Sequence, residues 1–95
     1  MSKVAAIRFS PAALSDLKET KAYIAQELGS EQAALHTVTE LVSKIRRLSA
    51  FPEAGAPVSS IVDLETDYRF LVCGHYTAFY RVETGTVYIV RVLYS

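Results

Sequence analysis

Tyr68–Ser95 reads YRFLVCGHYTAFYRVETGTVYIVRVLYS, and this stretch decides the fold. It divides into Tyr68–Cys73, Tyr76–Glu83 and Thr86–Tyr94, each dense in the Tyr, Phe, Val and Ile side chains that suit a pleated, half-buried surface. Gly74-His75 and Thr84-Gly85 lie between them, and short breaks carrying glycine close antiparallel hairpins. The spacing predicts a three-stranded antiparallel meander. Strict two-residue turns would pair Cys73 with Tyr76, Arg69 with Tyr80 and Ala78 with Arg91, setting Arg69 and Arg91 diagonally on one face and Arg81 on the other. A longer turn or a bulge would shift the register by one residue and exchange those companions, so the face of each arginine stays open.

Upstream the period changes from strand to helix. Val4–Phe9 is apolar and β-branched enough for a first strand, and Ser10-Pro11 supplies an N-cap followed by proline at the first helical position. The helix runs over Pro11–Leu28, with Leu14, Leu17, Ile24 and Leu28 as its apolar stripe, Lys21 snorkelling within it, and Gly29 as the terminating residue. Ser30 caps a second helix, with Glu31 at its positive end and Lys44, Arg46 and Arg47 at its negative end. Its stripe is Ala34, Val38, Leu41, Ile45 and Leu48, widened by Leu35 and Val42. Only Gly29 and Ser30 separate the helices, which predicts an antiparallel helical hairpin. Phe51-Pro52, Gly55 and Pro57 then begin a long connection to Asp67 that holds a short turn or strand around Ile61–Leu64. The predicted class is α+β in the order β-α-α-β-β-β, with the first strand joining the sheet and the helices covering one of its faces.

The 95 residues suffice for one domain spanning 1–95. The single cysteine, Cys73, allows no internal disulfide and reads as a buried strand residue. No apolar run is long enough to span a bilayer and Met1–Arg8 is too short for a secretory signal, so the expected setting is cytoplasmic. Charge is balanced overall but not along the chain: seven basic and nine acidic side chains in Met1–Asp67 give −2, and three arginines against Glu83 in Tyr68–Ser95 give +2. The two histidines, His36 and His75, lie far apart, and no phosphate-cradling glycine loop occurs; neither a metal nor a cofactor is expected. Candidate target-contacting or catalytic residues are Arg69, Arg81, Arg91 and Tyr94.

Two blocks, DLKETKAYIAQELGSEQAALHTVTELVSKIRRLSAFPEAGAPV (Asp16–Val58) and DYRFLVCGHYTAFYRVETGTVYIVRVLYS (Asp67–Ser95), resemble the RelE/ParE toxin superfamily in order and spacing. The resemblance implies a growth-inhibiting toxin of the plasmid-stabilisation kind, neutralised by a cognate antitoxin, with the pair able to bind operator DNA. Such toxins either poison a type II DNA topoisomerase or cleave mRNA at the ribosome. The long hairpin and the Phe51-Pro52-Glu53-Ala54-Gly55 junction look more like the ParE side. RelE-like ribonucleases carry a basic residue where Arg69 stands, but the arginine they place on the next strand corresponds to Thr77 here. The topoisomerase reading therefore leads, with mRNA cleavage as the alternative and an inactive relic acting as co-repressor as the third. Arg69 is expected to serve toxicity more than folding. Relatives continue past the VLYS segment with basic residues, so a truncated C-terminus and little or no toxicity are expected of this chain.

Overall fold

The computed structural model describes residues 4–94. Met1–Lys3, where the signal-peptide question begins, and Ser95, where the C-terminal break is expected, lie outside the described residues. The chain runs β1 (Ala6–Phe9), α1 (Pro11–Leu28), α2 (Glu31–Arg46), β2 (Ala56–Pro57), β3 (Arg69–Cys73), β4 (Tyr76–Glu83) and β5 (Thr86–Tyr94), with short 3-10 turns at Arg47–Ser49 and Val58–Ser60. The fold is the expected α+β arrangement: one sheet in the order β1-β5-β4-β3-β2, with the helical hairpin on one face. Beneath the hairpin, Ile45 and Leu48 meet Tyr80, Val87, Ile89 and Val92, all essentially excluded from water.

Both hairpin turns are the short ones expected. Cys73 pairs with Tyr76 and Glu83 with Thr86, and the backbone is left-handed at Gly74, Thr84 and Gly85, as tight turns matched to sheet twist require. Arg69 pairs with Tyr80. Further along the second hairpin, Tyr80 pairs with Ile89 but Phe79 with Arg91, so Val90 is an extra residue and Arg91 faces Phe79 instead of Ala78. This bulge sits where β1, parallel to β5, has run out at Phe9↔Ile89. β1 pairs only Thr86–Ile89, which leaves the outer edge of β5 beyond Ile89 to be satisfied by other groups.

Two local details refine the expectation. Ile61–Leu64 takes the turn form of the turn or strand expected there, as an exposed turn and bends, and the strand of this connection lies earlier, at Ala56–Pro57, beside Phe70 and Arg69. The proline of this two-residue edge strand gives up a donor at little cost because, among the described residues, no strand pairs with its outer side. The first helix is also rolled relative to its leucine stripe: Ala13, Asp16, Thr20 and Ile24 face inward and Leu17 is half-buried, but Leu14 and Leu28 are exposed. Small side chains at Ala13 and Thr20 let α1 approach β5 closely, and the roll carries Asp16 onto that strand. On α2 the expected Ala34, Leu41 and Ile45 are buried, as is Leu48 in the 3-10 turn that follows, while Leu35 points out.

Candidate functional site

Arg91 is held by the fold. Its Nε donates to Asp16 Oδ2 at 2.8 Å and its Nη2 to Oδ1 at 2.9 Å, a two-pronged pair reaching past the uncovered edge of β5 to α1. Asp16 Oδ2 also accepts from the Val92 backbone N–H at 2.9 Å, and its side chain is only 8% exposed. On the other side of the bulge, Ser10 N–H donates to Ile89 O at 2.9 Å, and the Ser10 hydroxyl donates to Val90 O at 2.9 Å while accepting from Ala13 N–H at 2.9 Å. One serine thus caps α1 and ties it to the irregular strand. The Arg91 guanidinium holds the Asp16 carboxyl below the usual aspartate range, against the opposing effect of burial and with help from the Val92 N–H; Asp16 in turn raises Arg91.

Arg69 is also engaged, at the opposite end of the sheet. Its Nε donates to Gly55 O at 3.2 Å and its Nη2 to Glu53 O at 3.3 Å. The neighbouring Tyr80 hydroxyl donates to Pro52 O at 2.8 Å and accepts from Gly55 N–H at 2.9 Å. Together the two side chains pin the Pro52–Gly55 segment to β3 and β4, which gives the Phe-Pro-Glu-x-Gly junction a physical reason. A Cβ at Gly55 would lie 2.5 Å from Phe70 O and 2.6 Å from the Tyr80 hydroxyl, so only glycine fits. Arg69 therefore works in folding, as an anchor for the Pro52–Gly55 segment.

Arg81 lies on the sheet face away from the helices, with its guanidinium 4.8 Å from the centroid of Tyr88 and in an ion pair with Glu83, which raises its pKa. Tyr94 is 70% exposed, stacks with His75 and meets Tyr76 edge-on at 5.4 Å between ring centroids. The Tyr76 and Tyr94 rings border an open groove of about 480 Å³ between α1 and the end of β5, where Asp16, Glu19 and Tyr23 face Arg91 and Tyr94. Burial pushes the Tyr76 phenol above its usual range, with Tyr94 and Tyr23 adding to the shift and a hydrogen bond with Thr20 opposing it.

The arrangement does not bring Arg69, Arg81 and Arg91 to one centre: each is committed to a different part of the fold. Sequence reasoning missed Asp16, Tyr80 and Gly55 as the residues that receive or position them. For Asp16 a signal existed, since Ala13, Asp16, Thr20 and Ile24 recur at helical spacing as a stripe of smaller residues. His36 and His75 are both exposed and Cys73 is buried, its thiol pushed up by desolvation. Among the described residues no group of three or more His, Cys, Asp or Glu could hold a metal ion, and no helix is long and apolar enough to cross a membrane.

The fold is similar to that of a chain of the chromosomal ParDE toxin–antitoxin system from P. aeruginosa, with a TM-score of 0.82 at 22% identity and 98% of each chain covered. A looser likeness, with a TM-score of 0.59 at 22% identity over 97% of this chain and 99% of the other, links it to the RelBE2 toxin–antitoxin complex from Mycobacterium tuberculosis. At such identity these likenesses speak for the fold alone. No curated protein matches the sequence. The model of the ParE toxin of type II toxin–antitoxin systems, parDE, matches residues 7–95, so the chain belongs to this toxin family, within the RelE/ParE superfamily.

Proposed function

We propose that this toxin arrests growth in the cytoplasm by binding a type II DNA topoisomerase, and that a cognate antitoxin neutralises it. The observation that carries the reading is the engagement of the three sheet arginines, with Asp16, with Glu83 and Tyr88, and with the carbonyls of Glu53 and Gly55. Cleavage of RNA through its 2′-hydroxyl needs cations gathered where negative charge develops on phosphate, with a base and an acid beside them. Arginines dispersed over the molecule favour binding a protein target over that chemistry. The threonine at position 77, where ribonuclease relatives resembling this chain carry arginine, points the same way.

The antitoxin is proposed to cover apolar surface of the hairpin, where Leu14, Tyr23, Leu28 and Leu35 stand exposed. A ligand of the folded state at a hundred times its Kd adds roughly 2.7 kcal/mol of stability, so the melting temperature should rise on adding antitoxin. Expressing the gene's natural reading frame without antitoxin decides between targets. A DNA-damage response with intact mRNA is expected; mRNA cut within codons, with no DNA damage, would establish the ribonuclease reading instead.

A further inference from the structure

The connection between β2 and β3 presents large aliphatic side chains to solvent on a fixed base. Ile61 is 63% exposed and Leu64 67%, with Val62 between them also exposed. The base is well held: Val58 N–H donates to Tyr68 O at 2.9 Å, the Ser60 hydroxyl donates to Pro57 O at 2.6 Å, and Pro57 pairs with Arg69. Side chains mounted on such a base lose less entropy on binding than those of a free tail. Apolar groups clustered in this way and left in water mark an interaction surface.

Charge identifies the kind of partner. Between Arg47 and Arg69 the chain carries Glu53, Asp63, Glu65 and Asp67 and no lysine or arginine. Asp63, Glu65 and Asp67 are all exposed, and Asp63 and Glu65 flank the exposed Leu64. Nucleic acid is repelled by such a surface. A protein that grips DNA is attracted, because it exposes lysine and arginine to neutralise phosphates. The loop also sits toward the β2 edge of the sheet, at the far end of the strand order from β1 and the α1–β5 groove.

We infer that the Ile61–Glu65 loop is the arm with which the toxin docks on a basic, DNA-gripping surface of its protein target, with Ile61 and Leu64 entering an apolar recess and Asp63 and Glu65 meeting its lysines and arginines. The inference rests on the topoisomerase reading above and adds to it the surface that makes contact. Long-range attraction speeds the encounter, and the aliphatic side chains slow dissociation.

The test measures binding of the full chain to immobilised, DNA-free DNA gyrase, a type II topoisomerase, at low and high salt. Two double variants are compared with the parent: Asp63→Lys with Glu65→Lys, and Ile61→Ser with Leu64→Ser. The charge variant should bind at least roughly tenfold more weakly at low salt with a flatter salt dependence, and the apolar variant should lose a similar factor with its salt dependence intact. Melting temperature and antitoxin binding should be unchanged in both. Parental affinity for gyrase in both variants would overturn the loop assignment and leave the topoisomerase reading standing. Loss of antitoxin binding would overturn it in favour of the antitoxin as occupant, and a fall in melting temperature matching the lost affinity would show that the loop serves folding. A parent chain that does not bind gyrase would overturn the topoisomerase reading, and the loop assignment with it.

Discussion

Two seams hold the helical and loop segments to the sheet, and they use opposite chemistry. At one end, Asp16 of α1 takes two bonds from Arg91 and one from the Val92 backbone beside an open groove. At the other, the neutral Tyr80 hydroxyl bridges Pro52 and Gly55 with no exposure to water. The charged seam answers to pH because its central group can titrate. The neutral seam answers to shape, since it has no room for a single added carbon at Gly55.

The largest effect is expected where shape decides. Gly55→Ala puts a Cβ 2.5 Å from a backbone carbonyl, and relieving that overlap should cost about 3 kcal/mol, independent of pH. For a domain of this size such a loss lowers Tm by roughly 12–24 °C, readable by thermal denaturation. A loss under about 0.5 kcal/mol would mean that the Pro52–Gly55 segment moves freely.

Asp16→Ala should cost about 2–3 kcal/mol at neutral pH, below the upper range for a broken buried pair because Arg91 is half exposed and can rehydrate. The depressed folded pKa of Asp16 fixes the sign of the pH effect. Its contribution is full above the ordinary aspartate value near ~4 and is lost as pH falls from there through the lower folded value. Denaturation curves of parent and Asp16→Asn should therefore converge in acid, and a constant gap across that range would contradict the account of this seam. Tyr80→Phe, which keeps the ring and removes only the bridge, should cost about 1–2 kcal/mol with no such convergence. The smallest effect belongs to Arg81→Ala: its pair with Glu83 is open to solvent, so Tm should not change measurably.

The two seams also separate what the sequence reveals from what it hides. The meander was legible because two short glycine-bearing turns fix most of its register by local rules, and Arg69 duly faces Tyr80. The bulge at Val90 was not, because its groups are satisfied by Ser10 and Asp16, more than seventy residues away in the chain. The roll of α1 has the same origin: a stripe of leucines suggests one buried face, and a single aspartate bonded to β5 selects another. β2 escaped notice because two residues, one of them proline, show no alternation. Of the candidate site, the arginines were visible as residues, but their partners come from segments distant in sequence.

The proposed action of this ParE-family toxin on a topoisomerase can be read from supercoiling of relaxed plasmid by purified DNA gyrase, with the toxin added in stoichiometric amounts. Supercoiling should stop, cleaved plasmid should accumulate, and addition of the cognate antitoxin should restore activity. Unaltered supercoiling in the presence of excess folded toxin would contradict the claim.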